Sequence, residues 1–264
     1  MWTKETENPQ GVIVIVHGAG EHHGRYEWLI KKWLTEGYNV VIGDLPGQGT
    51  STRRRGHIDS FDQYIETIEK WVERAAEFDL PVHLIGHSMG GLAVIRSLME
   101  KKLPVSTVIL SSPSVGLESP PPKGLEVASV VLNKVVPGLR LNSHLEPGIA
   151  TRNEEIKARD MEDNLLVRKV SVRWYRELVK AMKIAVEHPD KFPDLPLLVM
   201  QGGADAIVDK DIVLKWFNRL AITDKSYKEW DGLYHEVFNE PEREEVFYMA
   251  KEFINVREHL NLNK

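Results

Sequence analysis

Gly86-His87-Ser88-Met89-Gly90 is the segment whose residue types and spacing most directly promise chemistry. It follows the apolar run Val82 to Ile85 and precedes a stretch of helical apolar spacing, Gly90 to Glu100, so it reads as a G-x-S-x-G turn between a strand and a helix. Glycines at both ends allow a turn too sharp for side chains, and the turn lifts the Ser88 hydroxyl above the strand end, beside a helix N-terminus. The plain alternative is a Gly-rich turn without chemistry. A serine hydroxyl is nearly unreactive at neutral pH, so a nucleophilic Ser88 requires a histidine base and an acid to orient it. Asp205 lies just past the run Leu195 to Met200, and His235 follows a candidate strand at Lys225 to Trp230. The chain order Ser88, Asp205, His235 suits a relay in which His235 Nε2 takes the Ser88 proton while Nδ1–H bonds Asp205.

Competitors for these places have plainer readings. Asp209 and Asp211 sit at the start of the next helix, where an acid ordinarily caps it or occupies its first turn. The chain has ten histidines. His17, His22, His23 and His87 flank turns near the proposed site, and His57, His83, His144, His188 and His259 belong to no motif, so each is read as a surface or supporting histidine. Acyl transfer also needs two amide donors for an oxyanion. Met89 N–H, at the start of the helix, is one. Ala19, in the loop His17-Gly18-Ala19-Gly20 after the strand Val12 to Val16, is the other candidate.

That loop invites two rival readings. Gly18, Gly20 and Gly24 with Asp44 imitate a dinucleotide fingerprint, with one residue too many before the last glycine. His17, Glu21, His22 and His23 suggest a metal, but their spacing matches no helical ligand pattern and the glycines oppose a helix. The sequence therefore predicts neither cofactor nor metal.

The elements that must position these groups alternate. Strands are predicted at Val12 to Val16, Asn39 to Gly43, Val82 to Ile85 and Thr107 to Leu110, with helical segments between them, including Phe61 to Phe78. Alternation implies an α/β fold with a mostly parallel sheet covered by helices on both faces. From Ser114 to Pro193 no convincing strand is found, and the segment reads as an inserted helical cap holding an apolar helix at Gly124 to Val136 and a long helix at Val170 to Glu187. The pattern resumes with a strand, a helix at Lys210 to Leu220, a strand, and a helix at Pro241 to Val256. The expected organisation is core 1–113, cap 114–193 and core 194–264.

Composition narrows the function classes. The 264 residues are 28% charged and 42% hydrophobic with a net charge of −5, which excludes disorder and opposes a dedicated nucleic-acid binder. There is no cysteine, so thiol nucleophiles and thiolate metal sites are excluded. The polar N-terminal residues carry no secretory pattern, and no apolar run approaches the ~18 residues of a membrane span, so a cytoplasmic protein is expected. Arg53-Arg54-Arg55 reads as a solvated loop, with contact to anionic lipid headgroups as the sharper alternative. Trp71, Trp174 and Tyr175 read as core.

Five stretches together resemble one family. HGAGEHHGRYE (17–27), DLPGQGTS (44–51), GHSMGG (86–91), QGGADAIVD (201–209) and LYHEVFNE (233–240) are similar to motifs of the α/β-hydrolases, specifically the monoacylglycerol lipase and lysophospholipase group. The resemblance implies Ser88, Asp205 and His235 as the triad, Ala19 and Met89 as the oxyanion donors, and a cap over the site. It implies a monoacylglycerol or similar single-chain lipid ester as substrate, with peripheral membrane or micelle contact through the cap. Lysophospholipase or general carboxylesterase activity is the alternative, and a noncatalytic binding module the reading from another class. Departures are Asp163-Asn164-Leu165, where relatives often carry D-P-L, and Gly43 before Asp44. Burial of acyl CH₂ groups at ~0.8 kcal/mol each favours a medium or long chain.

Overall fold

The computed structural model describes residues 1–51, 54–143 and 147–262, so Arg53 and His144 lie outside the described residues. In chain order the elements begin with β1 (Trp2–Lys4), β2 (Gly11–Val16), α1 (Glu27–Thr35), β3 (Tyr38–Ile42), α2 (Asp62–Ala76), β4 (Val82–His87), α3 (Met89–Glu100) and β5 (Thr107–Ser111). Then come α4 (Lys123–Val135), β6 (Arg140–Asn142), α5 (Pro147–Ala150), α6 (Glu154–Glu162), β7 (Lys169–Ser171) and α7 (Val172–Glu187). The chain closes with β8 (Leu197–Gly202), α8 (Lys210–Arg219), β9 (Lys225–Trp230) and α9 (Arg243–Leu262).

Seven strands form one sheet in the order β1-β3-β2-β4-β5-β8-β9, parallel throughout except for β1, which runs antiparallel to β3. The central strands are buried along their whole length, and successive side chains feed opposite cores. Val12, Val14 and Val16 pack with Ile65, Trp71, Leu92, Trp174 and Trp216 from α2, α3, α7 and α8. Ile13 and Ile15 face Leu29, Trp33, Val246 and Phe253 from α1 and α9. The predicted α/β class, with a mostly parallel sheet and helices on both faces, is therefore what forms. Among the described residues no helix is long and apolar enough to cross a membrane.

The structure corrects several expectations. The 114–193 segment does contain strands, since β6 and β7 pair antiparallel with Arg140 opposite Ser171. Each spans three residues, and β6 is exposed throughout, so neither carries an apolar alternation. β1 is likewise too short to announce itself. β8 begins two residues late because Pro196 has no N–H for the ladder; its carbonyl accepts from Val108 instead. Arg55 is not a solvated loop residue: its guanidinium donates to the carbonyls of Asn164, Leu165 and Leu166. Gly43 is explained by Trp71, whose indole occupies the space a Cβ would need.

Trp33 is fully buried and packs edge-to-face on Tyr38 and Phe247, joining α1 to the sheet and to α9. Trp33→Ala is expected to cost about 3–5 kcal/mol of stability, read as a lowered urea midpoint without a changed slope.

Candidate active site

The turn after β4 is built as its glycines require. A Cβ at Gly86 would sit 2.8 Å from Gly91 Cα, and one at Gly90 would overlap the His17 carbonyl oxygen. Between them Ser88 takes φ 55° and ψ −123°, a left-handed conformation a serine holds only at a cost of about 1–3 kcal/mol. Neighbouring bonds hold it there: Ser88 N–H donates to Ser111 O at 2.9 Å, and Ser88 O accepts from Leu92 and Ser114, each at 3.0 Å.

The structure brings the three sequence-predicted side chains together. Ser88 Oγ lies 2.8 Å from His235 Nε2, and His235 Nδ1 lies 2.8 Å from Asp205 Oδ2. All three are buried. Asp205 Oδ1 accepts from the amides of Ile207 and Val208, and Oδ2 also accepts from Gln201 Nε2. Burial alone would push the Asp205 carboxyl up, but the His235 charge, the His235 hydrogen bond and the two amides outweigh it and hold the acid below its usual range. Because ionised Asp205 only accepts, His235 Nδ1 carries a proton, and when the ring is neutral Nε2 accepts from Ser88. Asp209 instead caps α8, accepting from the amides of Asp211 and Ile212.

In the loop after β2, Gly18 N–H donates to Glu21 Oε2 at 2.6 Å and Gly20 N–H to Gln48 Oε1 at 3.0 Å. The amides on either side of Ala19 are thus taken. His17 fixes the loop from behind, donating from Nδ1 to Gly18 O and accepting at Nε2 from Leu45 N–H. Met89 N–H lies in the first turn of α3, where amides lack an intrahelical acceptor. Ala19 and Met89 both line a cavity of about 690 Å³ that also holds Ser88 and His235. Leu132, Val170, Trp174 and Leu178 contribute apolar wall.

A buried ionic cluster escaped the sequence reading. Arg25 is 4% exposed and its guanidinium bonds Glu21, Asp160 and Glu236. Tyr26 OH adds a bond to Glu21, and Asn239 one to Glu236. Although burial opposes both charges, Glu236 and Asp160 hold Arg25 protonated, and Arg25 pulls the Glu236 carboxyl well below its usual range. The available signal was the charged pair in Glu21 to Arg25 directly after a buried strand, read only as part of a motif.

The groups behind the rival readings have other partners. His22 bonds Asp163 at 2.6 Å, and His23 bonds Asp44 while stacking on Trp2. Glu21, His87 and Glu236 do converge, but Arg25 already bonds both carboxylates. Asp44 accepts from His23 and Thr50, which hold its carboxyl at about 2 against the upward push of burial. It braces a turn.

A family model for the serine aminopeptidases of group S33 matches residues 7–242. The chain belongs to this family of α/β-hydrolases. It is 54% identical to the Bacillus subtilis phospholipase YtpA over 96% of this chain and 98% of that one. It is 31% identical to the Mycolicibacterium smegmatis monoacylglycerol lipase, over 93% and 88% of the two chains. The solved monoacylglycerol lipase of Paleococcus ferrophilus superimposes with a TM-score of 0.88 at 31% identity, covering 97% of this chain and 98% of that one. Within the α/β-hydrolases the chain falls in the monoacylglycerol lipase group, and it is a carboxylic ester hydrolase acting on lipid esters.

Burial drives the His17 and His87 imidazoles from 6.5 down to about 4 and about 3. Below pH 6.5 the unfolded chain therefore takes up protons that the folded chain refuses until those lower values are reached. Folding stability is expected to fall through this window by about 1.4 kcal/mol per pH unit for each histidine. In urea denaturation at stepped pH, His87→Gln should flatten the decline between about pH 6 and 4.

Proposed function

We propose that this enzyme cleaves the ester of monoacylglycerols to fatty acid and glycerol through an acyl-enzyme on Ser88. The observation that carries the reading is the Ser88–His235–Asp205 relay opening into a largely apolar cavity of about 690 Å³. In this reading Ser88 Oγ attacks the ester carbonyl carbon as His235 Nε2 takes its proton. The Ala19 and Met89 amides receive the oxyanion, and His235 returns the proton to the departing glycerol oxygen. Water then repeats the sequence on the acyl-enzyme. Residues 114–193 are assigned as a cap over the core formed by 1–113 and 194–264, with its apolar wall taking the acyl chain.

The 54% identity to a phospholipase supports a second reading, in which the ester belongs to a phospholipid and the leaving alcohol bears a phosphate headgroup. A matched panel separates the two: monoacylglycerols from C8 to C18, lysophosphatidylcholine, diacyl phospholipid and p-nitrophenyl esters. Monoacylglycerol turnover should lead, and lysophospholipid or phospholipid turnover well above it would replace the first reading. Ser88→Ala should lower kcat on every ester by at least about 10³-fold; retained turnover would end both readings.

Helix α4 also fits a lipid-contacting cap. No residue of α4 is buried: Leu125, Ala128 and Leu132 border the cavity, Leu125 and Ala128 while still exposed, and Val127, Val131 and Val135, spaced four apart, are exposed outside it. The outer stripe is proposed to rest on the aggregate that holds the substrate. Val131→Asp is expected to reduce turnover of micellar long-chain substrate several-fold and to leave a monomeric short-chain ester unaffected.

A further inference from the structure

We infer that Ser114 is a second catalytic hydroxyl, serving the deacylation half of the reaction. Its Oγ lies 3.2 Å from Ser88 Oγ, it is 4% exposed, and it lines the cavity. The direction of that bond follows from the relay. Ionised Asp205 fixes a proton on His235 Nδ1, so in the neutral ring from which the proposed reaction starts Nε2 accepts, and the one hydrogen of the Ser88 hydroxyl is committed to it. Ser114 is therefore the donor and Ser88 Oγ the acceptor. Of the two Ser88 lone pairs, one is occupied by Ser114 and the other is left to attack.

The placement of Ser114 is over-determined. Its own amide donates to Ser88 O at 3.0 Å. Two residues earlier, Ser112 holds φ 42°, a conformation that costs a serine energy, and its amide is pinned to Met200 O at 2.8 Å. Strained backbone at Ser88 and at Ser112 thus flanks the Ser88–Ser114 hydroxyl pair.

The two half-reactions use this bond differently, and this inference rests on the acyl-enzyme proposed above. In the free enzyme Ser114 already bonds Ser88 Oγ, so its bond is present before acylation begins and adds little to that transition state. In the acyl-enzyme Oγ is an ester oxygen, its lone pair drawn into the carbonyl, and it accepts weakly. Deacylation reverses this. Water attacks the acyl carbon and gives a proton to His235 Nε2, then the C–Oγ bond breaks with its electron pair passing to Oγ. Oγ takes the proton back from His235. Negative charge grows on Oγ during that departure, directly in front of the Ser114 donor, so the bond is stronger in the transition state than before it. Ser114 transfers no proton and is unchanged at the end.

The test is pre-steady-state hydrolysis of p-nitrophenyl butyrate by the full chain, with the acyl adduct located by mass spectrometry. Ser114→Ala is expected to keep the acylation rate within about two-fold and slow deacylation about ten-fold. The result is a p-nitrophenol burst approaching one per enzyme and a Ser88 adduct that accumulates. Ser114→Thr, which retains the hydroxyl, should restore the wild-type balance. Ser114→Cys, of similar size but a weaker donor, should fall between and carries the test if the alanine variant does not fold. Equal slowing of both phases, or no change in either, overturns the role of Ser114 while leaving Ser88 intact. Ester turnover by Ser88→Ala, with no adduct at position 88 in the wild type, overturns the acyl-enzyme itself and this inference with it.

Discussion

One buried guanidinium ties together the parts of the chain that must hold still. Arg25 bonds Glu21 in the loop after β2, Glu236 beside His235, and Asp160 in α6 of the segment between β5 and β8. Three carboxylates around one cation leave an excess of negative charge, which neutral donors offset: Gly18 N–H and Tyr26 OH on Glu21, Asn239 on Glu236. Breaking such a buried set by removing one member typically costs about 3–5 kcal/mol, because the orphaned charges remain out of water. The arrangement makes the loop after β2, the loop bearing His235 and α6 one body. A displacement of any of them is felt by the other two.

The second constraint is steric. Ser88 stays in a left-handed conformation because β4, α3 and the loop after β2 pass too closely for side chains at 86 and 90. Register makes this meeting inevitable: Val16 pairs with Gly86, His87 with Ser111, and Ser111 with Met200, so neighbouring parallel strands end at the same level. The loops bearing Ala19, Ser88, Ser114 and Asp205 all leave from that level, at the carboxyl edge where open α/β sheets place their sites.

This also explains what was legible in the sequence. Strands β2, β3, β4, β5 and β8 are buried along their whole length, so their apolar runs stood out, and Ser88 and Asp205 follow two of them, whereas His235 follows β9, a partly exposed polar strand. Contacts between distant segments left no local mark. Nothing near Asp160 announces that Arg25 needs it, and Arg55 resembles any loop arginine until its three carbonyl partners are seen. Ser114 was hidden for another reason: it lies in a serine-rich stretch after β5 and belongs to no motif, and only a positive φ at Ser112 swings it toward Ser88. Short exposed strands such as β6 and β7 lack the burial that creates periodicity.

Charge in the site is sorted by burial and pairing together. His17 and His87 lie close to the relay yet are kept neutral by desolvation, while Asp205 and Glu236, equally hidden, stay ionised because each has a cationic or donor partner. In the proposed reaction His235 must gain and lose a proton twice per turnover. Neutral imidazoles beside it add no repulsion when it does, and Asp205 stabilises the charged ring directly. The apolar wall proposed to receive an acyl chain surrounds the same space, so these interactions act at low dielectric, where each counts for more. The cavity that selects a lipid ester and the electrostatics that would cleave it are therefore products of one act of burial.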